Sequence, residues 1–94
     1  MPYCTIVEFE WDESFDHERF ANLVAKASEA APPPRGRMSH ITGIDATGAR
    51  MIEVWRSGDD ARAHAEQSAP FLAEARLPAP SRVFGFEVTS YVVS

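Results

Sequence analysis

Three side chains that could handle a proton and hold an aromatic molecule lie close together in the middle of the chain: Glu53, Trp55 and His64. An imidazole exchanges its proton near neutral pH, so an inward-facing His64 could act as a general base. Glu53 could orient that imidazole or serve as a base with a raised pKa. It could equally pair with Arg50, Arg82 or an arginine of a second chain. The alternative for His64 is structural, with its ring buried and hydrogen-bonded to a strand.

A second histidine could extend this cluster. His40 shares a predicted strand face with Met38 and Thr42 and could meet Glu53 there. Two histidines and one carboxylate can bind iron, but the spacing of His40, Glu53 and His64 follows no ligand motif. The sequence therefore predicts neither a metal nor any other bound cofactor.

Further side chains could contact a ligand. Trp55 is the predicted wall of an apolar pocket, since it lies close to the helix that carries His64, and the hydroxyl of Tyr91 could donate to a bound molecule. Arg35 and Arg37 follow a proline run, and they could either clamp a ligand carboxylate or lie in a solvated loop. For most of the other aromatic residues the sequence predicts ordinary packing in the core and in a dimer interface.

The composition excludes several classes of function. The 94 residues carry a net charge of -5, which is unsuited to nucleic acid because phosphates require a basic face. The chain contains no basic amphipathic stretch and no run of about 20 apolar residues, so we expect no contact with a membrane. Cys4 is the only cysteine, which fits a reducing cytoplasm, and the N-terminus does not resemble a signal peptide. We therefore expect one cytoplasmic domain spanning 1–94.

The hydrophobic pattern predicts the element order β-α-β-β-α-β. Alternating apolar residues predict strands over 3–11, 38–44, 49–55 and 82–93. A first helix is expected to end at the prolines of 32–34, and Ser57 can cap a second helix that Pro70 divides in two. This order is the ferredoxin-like α+β arrangement, with both helices on one side of a four-stranded antiparallel sheet. We expect only the central pair, the first and third strands, to be parallel.

Both faces of the predicted sheet are apolar. In the third strand, Ile52 and Val54 share one face, and Met51 and Trp55 share the other. A sheet with helices on one side only is expected to be polar on its second side, where it meets water. We therefore expect a second copy of the chain to cover that side, giving a homodimer.

In element order, over nearly its whole length, the chain resembles the dimeric α/β-barrel superfamily, in particular the antibiotic-biosynthesis monooxygenase-like domains. The local signature is "EVWRS" followed by a helix with "HAEQSAPF", and its positions are Glu53, Val54, Trp55, Ser57, His64, Ser68 and Phe71. The resemblance implies two sheets packed face to face into a barrel. It also implies a small apolar or aromatic ligand, either between a subunit's sheet and its helices or within the barrel. It also adds Phe71 to the predicted substrate contacts.

The resemblance leaves the reaction open. Members carry out cofactor-free oxygenation, cyclisation, isomerisation, haem breakdown and haem-dependent redox chemistry. Haem-degrading members usually carry an asparagine on the first strand and a tryptophan in the second helix, where this chain has Glu8, Glu10 and His64. Haem degradation is therefore not expected, and haem binding with His64 as axial ligand is a third hypothesis.

The first hypothesis is a small cytoplasmic enzyme that acts on an aromatic or polyketide-like molecule without a cofactor. His64, supported by Glu53, would remove a proton from a phenol or anthrone, and the carbanion would react with oxygen or close a ring. The second hypothesis is a non-catalytic ligand-binding or accessory dimer in which His64 is structural. An open pocket lined by His64, Glu53 and Trp55 would favour the enzyme, and a sealed interface would favour the second hypothesis.

Overall fold

The computed structural model describes residues 1–30 and 34–93. Its elements are β1 (Tyr3–Glu10), α1 (His17–Ala30), β2 (Arg37–Ile44), β3 (Gly48–Trp55), α2 (Gly58–Glu74) and β4 (Arg82–Glu87). The strands form one sheet in the order β2-β3-β1-β4, and both helices pack against it. The predicted ferredoxin-like α+β fold is confirmed. Within the described ranges, neither helix is long and apolar enough to cross a membrane.

All neighbouring strands run antiparallel, including the central pair β1 and β3. The expectation of a parallel central pair is wrong, for a topological reason. The crossover through α1 makes β1 and β2 parallel, and the hairpin then reverses β3, which lies between them. In the resulting register Ile6 lies opposite Ile52, and Thr5 lies opposite Glu53.

The hairpin between β2 and β3 is closed by Asp45, as the turn sequence predicts. Its Oδ1 accepts hydrogen bonds from the backbone N–H groups of Thr47 at 2.8 Å and Gly48 at 3.0 Å. Position 48 requires glycine, because a Cβ there would overlap the carbonyl oxygen of Phe9. The turn therefore fixes the register of β3 beside β1.

The first helix is anchored by an aromatic core. Asp16 caps its start by accepting a hydrogen bond from the N–H of Arg19 at 2.9 Å. Phe20 on its inner face packs with Phe15 and with Phe9 of β1, and the ring centroids of Phe9 and Phe20 are 5.7 Å apart. This cluster holds α1 over the sheet, where these three phenylalanines form the buried core.

The second helix is a single element where the sequence predicts two. Ser57 caps it as expected, with its hydroxyl accepting a hydrogen bond from the N–H of Asp60 at 3.1 Å. The helix then runs unbroken through Pro70. Pro70 removes one backbone donor, but Phe71 and Leu72 beyond it are partly buried. Their packing outweighs the lost hydrogen bond.

The end of the last strand differs from the sequence prediction, and the end of the first helix can be compared with its prediction only in part. The last strand stops at Glu87, because its partner β1 begins opposite it at Tyr3 and only the N–H of Val88 bonds beyond that point. The rest of the predicted strand has no partner strand among the described residues. The prediction that prolines 32–34 end the first helix lies largely outside those residues, and α1 ends at Ala30.

The sheet face away from the helices is apolar and uncovered. Residues of β1 alternate in direction, so Phe9 packs under α1 while Ile6 points to the other side. Ile6 belongs to a row that crosses all four strands in register: Ile41, Ile52, Ile6 and Phe84. Ile41 is 58% exposed, and Phe86 in the adjacent row is 47% exposed. The predicted second apolar face is confirmed.

Ion pairs border this apolar face at one end of the sheet. Glu8 lies between Arg50 on β3 and Arg82 on β4, with nitrogen–oxygen distances of 2.9 and 3.6 Å. The two arginines that the sequence offers as partners for Glu53 therefore pair with Glu8 on the opposite face of the sheet.

Candidate functional site

A cavity of about 450 Å³ opens between α1, α2 and the β2–β3 half of the sheet. This volume lies within the range of small-molecule sites, roughly 300–1,000 Å³. Its lining combines apolar side chains with titratable ones, chiefly Val24, Ala27, Met51, Arg37, His40, Glu53 and His64. The structure thus brings three predicted site residues, His40, Glu53 and His64, into one cavity.

A bulge in β2 adds a guanidinium to this cavity. Arg37 and Ser39 pair with consecutive residues of β3, so Met38 between them is the extra residue. Strand residues alternate between faces, and one extra residue reverses the alternation on one side of it. Arg37 and His40 therefore share the helix side of the sheet, although their spacing alone places them on opposite sides.

Arg37 is the site residue whose place in the cavity the strand pattern does not predict. Alternation counted back from His40 puts Met38 in its place, and the preceding prolines suggest a solvated loop for Arg37 and Arg35 alike. The nearest local signal is Gly36, whose φ of 79° is a conformation that favours glycine. That turn leads the chain into β2 just before Arg37.

Glu53 is buried, at 8% exposure, and an ion pair holds it. Nη1 of Arg37 donates to Oε2 of Glu53 at 2.9 Å. Burying a bare carboxylate costs several kcal/mol, and the guanidinium offsets that cost. The side chain of Arg37 is 27% exposed against 11% for Glu53, so the cation is the more accessible partner. No hydrogen bond joins Glu53 to His64 in the part of the chain that the structure describes.

His64 lies on the inner face of α2, and its ring packs against Trp55 at a centroid distance of 4.9 Å. Its Nδ1 is buried and has no hydrogen-bond partner among the residues that the structure describes. Burial lowers the pKa of His64, and the Glu53 carboxylate raises it by less. The cationic Arg37 and the nearby His40 lower that pKa further. The imidazole is therefore neutral at neutral pH and can accept a proton.

Trp55 supports the cavity from behind. It is 1% exposed, and its Nε1 donates to the hydroxyl of Thr5 on β1 at 3.1 Å. Its ring contacts His64 but does not belong to the cavity lining in the described structure. The predicted pocket wall is thus one layer deeper than expected, where it fixes the position of the imidazole.

Tyr91 and Phe71 lie elsewhere. Phe71 borders a smaller depression together with Lys26 and Glu74. Tyr91 follows β4 and is 38% exposed. Within the part of the chain that the structure describes, neither residue lines the 450 Å³ cavity, so their roles as substrate contacts stay predictions.

The histidines and the carboxylate of the cavity do not form a metal-binding cluster. Within residues 1–30 and 34–93, no three His, Cys, Asp or Glu side chains come close enough to hold a metal ion. Glu53 is already paired with Arg37, which leaves His40 and His64 as the available donors. Two imidazoles alone make an incomplete ligand set.

No protein-family model and no curated protein matches this sequence. The structure is nevertheless similar to several solved structures. A candidate antibiotic biosynthesis monooxygenase from Chloroflexus aurantiacus gives a TM-score of 0.72 at 19% identity, over 99% of this chain and 98% of that one. A dimeric ferredoxin-like protein of unknown function from Thermobifida fusca gives 0.71 at 14% identity, over 94% and 92%.

The chain has the ferredoxin-like fold. A haem-degrading protein from Mycobacterium tuberculosis shares it, with a TM-score of 0.67 at 18% identity over 99% of this chain and all of that one (100%). At these identities the likeness establishes the fold alone, because one fold carries many reactions.

Haem binding with His64 as axial ligand stays a prediction. The ring would have to share the cavity with the ion pair of Arg37 and Glu53, and the solved structures of this fold establish no ligand for this chain.

Proposed function

We propose that this protein is a small enzyme that removes a proton from an aromatic or polyketide-like molecule held in the cavity. The observation that carries the proposal is His64, which lines the cavity, is neutral at neutral pH and has an unsatisfied buried ring nitrogen. Buried polar groups are nearly always hydrogen-bonded, so an exception beside a cavity favours a functional role over packing.

The proposed step transfers a proton from an acidic C–H group of the substrate to the imidazole of His64. The electron pair of the broken C–H bond passes to the adjacent carbonyl, which becomes an enolate. Arg37 lines the same cavity and supplies positive charge for that oxygen. The enolate then follows one of two courses. It adds dioxygen to give a peroxide, which takes the proton back from His64 and loses water to leave a new carbonyl, or it attacks a second carbonyl, whose oxygen takes the proton back as the ring closes. Both outcomes begin with the same step and use no bound cofactor.

The apolar part of the lining supports this step. Val24, Ala27 and Met51 would contact the rings of the substrate and keep water from the reacting carbon. Excluding water strengthens every electrostatic interaction in the cavity, including that of Arg37 with the forming enolate.

We further propose that the working form is a homodimer in which the uncovered sheet faces meet. A row of apolar side chains crosses each face, namely Ile41, Ile52, Ile6 and Phe84. Exposed apolar surface of this kind is unfavourable in water, and a second copy would bury it. The Thermobifida fusca protein of the same fold is described as dimeric.

The test is an exchange reaction that precedes both outcomes. Anthrone in heavy water exchanges its methylene protons for deuterium, and proton NMR follows the loss of their signal. We expect the wild-type protein to accelerate this exchange over buffer. His64→Gln, which keeps the size and polarity of the side chain but has no basic nitrogen, should lower the rate on the order of a hundredfold.

The matched control is His17→Gln, since His17 is exposed at the start of α1, outside the cavity. This variant should exchange anthrone at the wild-type rate. A wild-type protein that leaves the buffer rate unchanged, or a His64→Gln variant that is fully active, would remove the proton-abstraction proposal.

A second candidate function is non-catalytic binding of the same class of molecule. The observation that favours it is the ion pair of Glu53 with Arg37, which leaves the imidazole of His64 without support from the carboxylate. Calorimetric binding of anthrone by a wild-type protein that does not accelerate its exchange would establish this second function.

A further inference from the structure

We propose that Arg37 makes the cavity specific for aromatic molecules that carry a carboxylate, an inference that rests on the proposed function of the same cavity and names its substrate class. The guanidinium is the only arginine or lysine group in the cavity lining of the described structure. Its position there depends on the bulge at Met38, since an unbulged strand would turn it to the other face.

The donor groups of Arg37 are mostly unused. A guanidinium has five N–H donors in a planar fork. One of them, on Nη1, bonds to Glu53, and no other side-chain hydrogen bond of Arg37 occurs among the described residues. The guanidinium can therefore donate short, charge-assisted hydrogen bonds to a second carboxylate.

The paired Glu53 does not cancel this attraction. Glu53 is the deeper member of the pair, with a side-chain exposure of 11% against 27% for Arg37, so an entering ligand meets the cation first. His40 and His64 add N–H donors and no permanent negative charge to the lining. Glu29 also lines the cavity, but it is exposed to water, which screens its charge.

The apolar lining defines the rest of the ligand. Val24, Ala27 and Met51 offer contact surface but no hydrogen-bonding side chain. A ligand that matches the whole cavity is therefore an aromatic body with an acidic group at one end. Proton abstraction from a neighbouring carbon would then take place on a substrate anchored by its carboxylate.

The test compares naphthoate with the neutral naphthylmethanol, which has the same rings and lacks the charge. Isothermal titration calorimetry at neutral pH gives both dissociation constants. We expect the wild-type protein to bind naphthoate at least about tenfold more tightly. The double variant Arg37→Gln/Glu53→Gln, which removes both charges without leaving one unpaired, should bind the two probes about equally.

Two further variants keep the test decisive. Arg35→Gln removes the exposed neighbouring arginine, which lies outside the cavity lining, and should keep the wild-type preference. Arg37→Lys keeps the charge beside Glu53 but loses the planar fork, so it should fold even if the double variant does not, and its preference should be reduced severalfold.

The proposal is overturned if wild type binds both probes equally or binds neither. It is equally overturned if a folded double variant or Arg37→Lys keeps the full preference for naphthoate. Naphthoate has no acidic C–H group of the anthrone type, so its binding does not depend on catalysis by His64. Failure of this inference and failure of the proposed reaction are therefore distinguishable.

Discussion

His64 links the chemistry of the cavity to the stability of the protein. Burial lowers the pKa of His64 in the folded state, whereas the unfolded chain has the usual value of about 6.5. Between the lowered pKa and about 6.5 the unfolded state binds more protons than the folded state. The free energy of unfolding therefore decreases as the pH falls through this window, and His64 contributes no pH dependence above it.

We expect urea unfolding at a series of pH values to reveal this contribution as a difference between two proteins. Wild type should lose stability below about pH 6.5 more steeply than His64→Gln, which cannot titrate. All other side chains are the same in both proteins, so the comparison isolates the contribution of His64. Parallel curves for the two proteins would mean that His64 is not perturbed by the fold. The rate of anthrone exchange should also fall in wild type as the imidazole becomes protonated.

The composition of the site was partly visible in the sequence. His64 and Glu53 could be placed together because a short connection joins the strand ending at Trp55 to the helix that follows it. The partner of Glu53 could not be predicted, because alternation along a regular strand puts Arg37 on the wrong face. A bulge depends on how two strands pair, and such pairing leaves little trace in the residues of one of them.

At the level of elements, α2 contains a testable weakness. Pro70 lies within the helix, on its exposed side, and removes one backbone hydrogen bond. Pro70→Ala should restore the donor and increase the free energy of unfolding by about 1 kcal/mol. The stability gained from higher helix propensity exceeds the stability lost because alanine leaves the unfolded chain more flexible than proline does.

Chemical denaturation measures this change, and Pro80→Ala is the matched control. Pro80 lies in the exposed segment before β4, so the same substitution frees the unfolded chain without adding a helical hydrogen bond. It should leave stability unchanged or slightly lower. Equal effects of the two variants would mean that Pro70 does not destabilise the helix.

The element order followed from hydrophobic periodicity, because alternation and helical spacing are properties of each segment alone. Two of the predicted boundaries did not. β4 is limited by the length of β1, and the helix continues through Pro70 because Phe71 and Leu72 are packed beyond it. Both differences arise from contacts between elements, which a single segment does not encode.

For the whole molecule, the uncovered sheet face predicts a homodimer that a single charged substitution in that face can dissociate. Ile41 lies on the edge strand β2 and is exposed in the protomer, so Ile41→Lys should hardly affect folding. In the proposed dimer the ammonium group would be buried without a partner. The dissociation constant should rise on the order of a hundredfold or more, because that burial costs several kcal/mol.

Sedimentation velocity distinguishes the two forms over a range of concentrations. Wild type should sediment as a dimer and Ile41→Lys as a monomer. Ala63→Lys, which adds the same charge to the exposed side of α2, should remain dimeric. A monomeric wild type, or a dimeric Ile41→Lys, would show that the apolar face is not the interface.

The register at the start of β2 decides which side chain faces the cavity. In the present one a guanidinium faces the cavity, and a slip by one residue would replace it with the thioether of Met38. The attraction of Glu53 for Arg37 holds the first register in place. An apolar residue at position 53 would remove that bias. Replacing Glu53 by an apolar residue would thus change the proposed site from one for carboxylates to one for neutral apolar ligands, while Arg37 and Met38 themselves stay unchanged.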